Sequence, residues 1–151
     1  FILDKDVILS PTNYYVSQYI AKLINEGFYF EGGRIRQVPV NIGGSTYKPP
    51  LPIENVVREE IRNIINSTSD DIDKAIDLTL FVMKTQVFID GNKRTAIIFA
   101  NHYLISNAGG LLVIPESHVP EFKKMLIRYY EEKDNGEIKD FLKQNCHRNF
   151  K

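Results

Sequence analysis

Residues 86–96, which read QVFIDGNKRTA, hold the side chains of this chain that are best suited to chemistry. The carboxylate of Asp90 is followed by Gly91 and then by two cations, Lys93 and Arg94. An apolar stretch after them predicts a helix that begins here, and a helix start offers unpaired backbone N–H groups and the positive end of the helix dipole. Glycine permits a tight turn against a ligand, and arginine binds phosphate oxygens in pairs. Together these features predict a phosphate-binding turn.

A carboxylate beside a phosphate needs an explanation, because like charges repel. A Mg²⁺ ion supplies one, since it takes one or two protein carboxylates together with phosphate oxygens. We therefore expect Asp90 to hold Mg²⁺ on a bound polyphosphate. An ordinary turn is the alternative, because Asp-Gly-Asn is common in turns and Lys-Arg at a helix start is often only solvated. The residue types alone leave both interpretations open, whereas Phe88 is predicted to anchor the loop in the core.

The composition is typical of a folded globular protein, with 151 residues, 43% hydrophobic and 25% charged. We expect one domain over residues 1–151, which begins without Met and could be a piece of a longer chain. Nineteen Lys and Arg balance nineteen Asp and Glu, so we expect no nucleic-acid partner. No apolar run approaches the ~18 residues of a membrane helix, so no membrane is expected. The single cysteine, Cys146, excludes an internal disulfide, and we expect a cytoplasmic protein.

Apolar periodicity predicts a mainly α fold of about six helices with one small hairpin. The first helix is expected to start at Ser10-Pro11, a hydroxyl cap followed by proline, and to end at Gly27. The other helices are expected around residues 53–65, 72–83, 92–107, 122–129 and 138–142. Between the first two helices, Val38 and Val40 alternate with other residues and Gly43-Gly44 can form a tight turn, which predicts the hairpin.

Three shorter patterns complete this picture. Residues 96–100, AIIFA, are apolar at five successive positions, which predicts a helix wrapped by others. Residues 111–114, LLVI, are expected to form a strand or buried coil. Ser69-Asp70-Asp71 is expected to cap the helix that follows it.

The loop resembles the signature of the Fic/Doc family, whose pattern is H-x-F-x-D/E-G-N-G/K-R. The matching residues are Phe88, Asp90, Gly91, Asn92, Lys93 and Arg94. Residues 33–52, GRIRQVPVNIGGSTYKPPLP, resemble the hairpin that is called the flap in this family and lies over its active site. The order of helix, flap, two helices, signature loop and buried helix is also similar, so the resemblance covers nearly all of the chain.

The resemblance implies transfer of AMP from ATP, in the presence of Mg²⁺, to a Ser, Thr or Tyr hydroxyl of a target protein (AMPylation); Doc transfers phosphate instead. By position, the implied catalytic set is Gln86, Asp90, Asn92 and Arg94, with Asp90 as the metal ligand and Gly91, Asn92, Lys93 and Arg94 as the phosphate-binding residues. The implied flap, which pairs with the backbone of the target as an added strand, comprises Val38, Val40, Asn41, Ile42, Gly43, Gly44, Ser45, Thr46 and Tyr47. A structural hairpin that only covers the core is the alternative.

Two departures from the family pattern bear on the chemistry. The family histidine, the general base, is replaced by Gln86, whose amide cannot accept a proton near neutral pH. The second family arginine is replaced by Ile97, as in Doc, which puts AMP transfer in doubt against phosphate transfer. We therefore expect a nucleotidyltransferase impaired at Gln86. The alternatives are a Doc-like kinase and a non-catalytic pseudoenzyme that binds nucleotide or protein.

The sequence offers neither a replacement for the general base nor an inhibitory segment. His102 lies eleven residues after Gly91, roughly 16 Å along the helix, which is too far to replace the base. His118 and His147 are expected to be surface residues. The inhibitory family motif, S/T-x-x-x-E-G/N, is not found in this sequence, so we expect it on a separate inhibitory protein of the toxin–antitoxin kind, on an N-terminal part outside this sequence, or not at all.

Overall fold

The computed structural model describes residues 4–29 and 31–149, and within them the fold is mainly α, as predicted. The predicted single domain also spans residues 1–3, 30 and 150–151, which lie outside the described residues. The elements are α1 (Lys5–Leu9), α2 (Tyr14–Ile24), α3 (Glu54–Ile65), α4 (Asp71–Thr85), α5 (Asn92–Ser106), β1 (Leu111–Leu112), a 3₁₀ helix (Glu116–His118), α6 (Val119–Tyr130), α7 (Glu137–Asn145) and β2 (His147–Arg148). No helix in the described part of the chain is long and apolar enough to cross a bilayer.

Helix α5 is the centre of the fold. It packs against α4, α2, α1 and β1, and Phe99, Ala100 and Leu104 are fully buried among them. Its apolar residues lie on several sides because several elements surround it, which confirms the prediction of a wrapped helix. Packing on several sides therefore fixes the position of α5 in the fold.

The N-terminal region differs from the prediction. Ser10 does not begin a helix; it ends α1, and its hydroxyl donates a 2.8 Å hydrogen bond back to the Asp6 carbonyl oxygen. Helix α2 starts at Tyr14, where the side chain of the N-cap residue Asn13 accepts a 3.1 Å hydrogen bond from the Val16 N–H. Asp70 does occupy the N-cap of α4, although its side chain accepts no capping hydrogen bond.

The predicted hairpin is only partly present. The Gly43-Gly44 turn forms, with φ of +81° at Gly44 and a 3.2 Å hydrogen bond from the Ser45 N–H to the Ile42 carbonyl oxygen. Residues 34–52 nevertheless contain no strand, so the expectation of paired strands was wrong. Four prolines, at positions 39, 49, 50 and 52, lack the N–H groups that a ladder requires.

The paired strands of the described residues lie elsewhere. β1 and β2 form a two-stranded antiparallel sheet in which Leu111 is opposite Arg148 and Leu112 is opposite His147. β1 occupies the first half of the LLVI stretch, so the strand expectation for that stretch is confirmed there. This sheet packs on the far part of α5 and takes no part in the flap.

Candidate functional site

The loop between α4 and α5 is anchored at both ends. Gln86, the C-cap of α4, has the left-handed backbone conformation, with φ of +51° and ψ of +59°. Val87 and Phe88 then turn inward and are 1% and 0% exposed, which confirms Phe88 as the predicted anchor. The chain emerges at Asp90 and enters α5 at Asn92.

The Asn92 side chain stabilises this loop through hydrogen bonds. Its Oδ1 accepts a 3.0 Å hydrogen bond from the Phe88 N–H, and its Nδ2 donates to the Phe88 carbonyl oxygen at 2.8 Å. Nδ2 also donates to Oε1 of Gln86 at 3.2 Å. The side chain, 4% exposed, therefore holds the loop in shape, and its contribution toward a ligand is its backbone N–H in the first turn of α5.

Both ends of the Gln86 side chain are engaged. Nε2 donates a 2.7 Å hydrogen bond to the Met83 carbonyl oxygen, which is one of the unpaired carbonyls at the end of α4. Oε1 accepts from Asn92 as described. The amide thus serves as a structural cap, and none of its atoms can take a proton near neutral pH.

Asp90 and Gly91 form the exposed rim of the site. The Asp90 carboxylate is exposed, with Oδ1 accepting from the Gly91 N–H at 2.8 Å and Oδ2 accepting from the Tyr29 hydroxyl at 3.4 Å. Gly91 has φ of +70°, and a Cβ placed there would lie 2.8 Å from Cγ2 of Ile24. Only glycine fits this backbone and leaves the approach to α5 open.

The predicted phosphate-binding residues and three flap residues line one cleft of about 480 Å³. Its lining comprises Asn41, Ile42, Gly43, Gln86, Asp90, Gly91, Asn92, Lys93, Arg94 and Tyr130. Lys93 and Arg94 are exposed in the first turn of α5. Although the Lys93 side chain is exposed overall, desolvation of its ammonium group, and then the positive charge of Lys123, lower the pKa of Lys93.

Comparison with known proteins decides the family. A sequence model of the Fic/DOC family matches residues 12–104, more than half of the chain, including the whole loop and flap. The chain belongs to the Fic/DOC family. No curated protein matches it.

The Fic/DOC flap lies over the signature loop without strand pairing. Val38 is 49% exposed, and residues 38–42 are neither helical nor covered by another strand. The far side of the turn is attached to the end of α6, where Oε2 of Glu131 accepts from the Ser45 hydroxyl at 2.7 Å and from the Thr46 N–H at 3.2 Å. The flap of this Fic domain is therefore held by side-chain contacts, which leave the edge of residues 38–42 free of a neighbouring strand.

A pair of stacked aromatic rings also attaches the flap to α6. The Tyr47 ring stacks on Tyr130 with centroids 6.2 Å apart, and Nζ of Lys84 lies 5.5 Å from the Tyr47 centroid. Tyr130 is 1% exposed, and its hydroxyl has no hydrogen-bond partner among the described residues; burial raises its pKa. Glu131 and Tyr130 were not predicted as site residues, since nothing near them in sequence points to the flap.

A second cavity of about 500 Å³ adjoins the cleft of this Fic domain and shares Lys93 and Arg94 with it. Ile97 and Ile98 of α5 form part of its wall, and Val113, Val119 and Phe122 face them. The lining is apolar except for Lys93, Arg94, Asn101 and Lys123. A polar cleft and an apolar cavity therefore meet at the start of α5, an arrangement that suits a ligand with an anionic part and an apolar part.

The three histidines lie away from the cleft. His102 is fully buried, and its ring nitrogens pair with the Thr12 hydroxyl at 2.7 Å and the Val7 carbonyl oxygen at 2.6 Å. His118 packs edge-on against Phe141, and the His147 ring pairs with the Gly109 carbonyl oxygen at 2.7 Å. His118 and His147 are half-buried rather than the surface residues we expected. None of the three lines the cleft that contains Gln86.

Proposed function

We propose that this Fic domain binds a Mg²⁺-nucleotide at the start of α5 and transfers AMP from it to a hydroxyl of a target protein, at a rate limited by Gln86. The observation that carries the proposal is the meeting of three groups in one cleft: the flap at residues 41–43, Gln86, and the loop from Asp90 to Arg94. Membership of the Fic/DOC family supports transfer activity of this kind.

The phosphate groups would lie on the first turn of α5. The backbone N–H groups of Asn92, Lys93 and Arg94 have no partner within the helix, since the first intrahelical donor is Thr95, which bonds to the Gly91 carbonyl oxygen at 2.9 Å. The helix dipole and the two cations add to this attraction. Gly91 lets the phosphates approach the backbone.

The residues at the rim fit a magnesium ion. The Asp90 carboxylate is exposed in the cleft and is oriented by the Gly91 N–H and the Tyr29 hydroxyl. The described residues contain no cluster of three acidic, histidine or cysteine side chains. Asp90 would therefore hold the ion together with phosphate oxygens, as Mg²⁺ sites often do. Such an ion would neutralise charge on the phosphates.

The chemistry at position 86 explains the expected low rate. In AMP transfer, the acceptor oxygen bonds to the α-phosphorus while the bond to the bridging oxygen breaks and pyrophosphate leaves. The hydroxyl proton must then pass to an acceptor. Gln86 offers none, and loss of a general base costs roughly 10²–10⁴-fold in rate. Alignment and charge stabilisation by Arg94 and the start of α5 would remain.

Phosphate transfer is the second candidate, and the apolar cavity favours it. Ile97 stands where the AMP-transferring pattern has an arginine, and it forms part of the wall of that cavity. If a nucleoside occupied the apolar cavity, its phosphates would extend past Arg94 toward Gln86. The terminal phosphate would then face the flap, and the acceptor oxygen would bond to the γ-phosphorus with ADP as the leaving group.

One experiment separates these activities. The protein and its Gln86→His variant are each incubated with a cell lysate, Mg²⁺ and ATP that carries label in either the α- or the γ-phosphate. We expect α-label on protein from the histidine variant. Label from the γ-position alone would establish phosphate transfer. Absence of both labels from both proteins, with nucleotide binding retained, would establish a non-catalytic binding module.

A further inference from the structure

Arg36 is a buried cation whose charge is met by carbonyl oxygens. Its residue is 2% exposed, and in the described part of the chain no carboxylate forms an ion pair with it. A buried guanidinium costs a great deal of free energy unless its donors are all paired. All three of its nitrogens donate hydrogen bonds in this structure. Its position is therefore specified by the acceptors that surround it.

Those acceptors belong to two different parts of the site. Nη1 donates to the Val38 carbonyl oxygen and Nη2 to the Pro50 carbonyl oxygen, both at 2.8 Å, so the guanidinium closes the base of the flap. Nε donates to the Gln86 carbonyl oxygen at 2.7 Å, and Nη2 also lies 3.3 Å from the Thr85 carbonyl oxygen. One planar group thus joins both ends of the flap to the residue in the position of the family base.

The main chain of Arg36 makes the same connection. Its N–H donates to the Val87 carbonyl oxygen at 2.8 Å. The carbonyl oxygens of Gln86 and Val87 therefore both accept hydrogen bonds from Arg36, next to the left-handed backbone of Gln86, whose φ is +51°. A left-handed conformation is unfavourable for glutamine and persists only where its surroundings hold it. Arg36 contributes to that restraint together with the side-chain hydrogen bonds of Gln86 to Met83 and Asn92.

Other flap contacts lead away from the signature loop. Ser45 and Thr46 are bonded to Glu131, and Tyr47 stacks on Tyr130, so the turn of the flap is attached to α6. Among the hydrogen bonds of the described residues, those of Arg36 are the ones that join the flap base to residues 85–87.

We infer that Arg36 is a positioning residue, which holds the flap at a fixed position relative to residue 86. The segment that receives the target and the side chain that faces the target hydroxyl then move as one unit. The inference rests on the proposed function for its catalytic consequence, but the mechanical coupling can be tested without it. Arg36 touches no substrate; it acts through the carbonyl oxygens of Val38, Pro50 and Gln86.

The first test is hydrogen exchange of the unaltered chain, followed by mass spectrometry across a series of low denaturant concentrations. If Arg36 couples the two segments, the hydrogen-bonded amides of the flap, those of Arg36, Ser45, Thr46 and Tyr47, open together with those of Gln86 and Phe88 and with the same denaturant dependence. Flap amides that exchange at least tenfold faster than those of 85–91, with a different denaturant dependence, would overturn the inference.

The second test compares Arg36→Lys and Arg36→Met with Arg34→Met, which removes an exposed arginine that forms an ion pair with Glu31. We expect both Arg36 variants to raise exchange at least tenfold at the hydrogen-bonded amides of both segments, while amides in the middle of α5 keep their protection. Lysine should restore part of the protection, since it keeps the charge and lacks the planar fork. Arg34→Met should change neither segment. A rise confined to the flap would contradict the coupling.

The third test uses the Gln86→His background, where the proposed function predicts turnover. Adding Arg36→Lys should lower kcat for target labelling at least tenfold and leave KM for Mg²⁺-ATP unchanged, because the phosphate-binding turn at α5 is untouched. A change in KM alone would argue against a positioning role. If Gln86→His with intact Arg36 shows no labelling, the proposed function fails, whereas the two exchange tests still decide the role of Arg36.

Discussion

Oε1 of Gln86 lies 3.2 Å from Nδ2 of Asn92, and Nε2 of the same glutamine donates to the Met83 carbonyl oxygen at 2.7 Å. The side chain in the position of the family base is therefore tied both to the end of α4 and to the first residue of α5. A glutamine here stabilises the loop and leaves the turn at the start of α5 in place.

Gln86→His is expected to raise target labelling by at least an order of magnitude, on the scale of roughly 10²-fold for a general base. The rate should also gain a pH-dependent limb near the histidine pKa of about 6.5, with activity lost as the imidazole is protonated. Rate against pH, measured with labelled ATP, checks both. Gln86→Asn provides the control, because it shortens the side chain and adds no base. An unaltered protein that is already fast would contradict the reasoning.

Gly91→Ala is expected to destabilise the fold by about 1–3 kcal/mol, because the alanine would have to adopt φ of +70°. Its Cβ would also lie 2.8 Å from Cγ2 of Ile24. Denaturant unfolding measures the loss. Gly43→Ala is the matched control in the same cleft: its Cβ would meet nothing within 4 Å and its φ is not positive. Equal stability of the two variants would show that the Gly91 turn is not constrained.

Arg94→Ala is expected to weaken Mg²⁺-ATP binding roughly tenfold or more, and more than Lys93→Ala, because arginine contacts two phosphate oxygens at once. Affinity should be millimolar or better and should fall when Mg²⁺ is removed, as Asp90 alone repels phosphate. Titration calorimetry provides these values. Lys124→Ala is the control, since this exposed lysine of α6 lines neither cavity. An affinity that Arg94→Ala leaves unchanged would remove the phosphate site.

The Glu131 contact with the flap should depend on pH. Hydrogen bonds from Ser45, and then from the Thr46 N–H, hold the pKa of Glu131 below its ordinary value of 4.5. A lowered folded-state pKa means that the stabilisation is complete above the unfolded pKa and is lost as the pH falls through the folded pKa. The free-energy difference between the protein and Glu131→Gln should therefore shrink on acidification below about 4.5.

Unfolding curves at several pH values measure this difference. Glu121→Gln is the control, an exposed glutamate of α6 that makes no hydrogen bond to the flap. A difference that is independent of pH would show that the carboxylate charge does not hold the flap.

Val40→Pro is expected to abolish target labelling in the Gln86→His background and to leave nucleotide affinity intact. Residues 38–42 have no neighbouring strand, so the Val40 N–H is available to a target segment, and proline removes this donor. Val40→Ala, which keeps the N–H, should label normally. A loss of nucleotide affinity equal to the loss of labelling would place this segment in the nucleotide site instead.

Local sequence determined much of the site. Gly91 before two cations at the start of an apolar helix predicted the exposed turn, and Phe88 predicted its anchor. The helices α3 to α7 followed from apolar spacing, because burial of one face needs only the period of the chain. The family pattern then placed Gln86 in the position of the base. All of these inferences concern residues that are close together in the chain.

Tertiary structure decided how the flap is held. The prolines of the flap prevent a β-ladder, so the shape of the flap depends on contacts with distant residues. Ser45 contacts Glu131, 86 residues later, and Arg36 contacts Gln86, 50 residues later. Nothing in the sequence around Arg36 shows that it is 2% exposed or which carbonyl oxygens surround it. The start of α2 was misplaced for a different, local reason: the Ser10 hydroxyl donates to the Asp6 carbonyl oxygen, and the Asn13 side chain caps α2 instead. The Gln86 carbonyl oxygen beside Arg36 and the Glu131 carboxylate beside Ser45 could not be predicted from the sequence, because only folding brings residues so far apart in the chain within hydrogen-bonding distance.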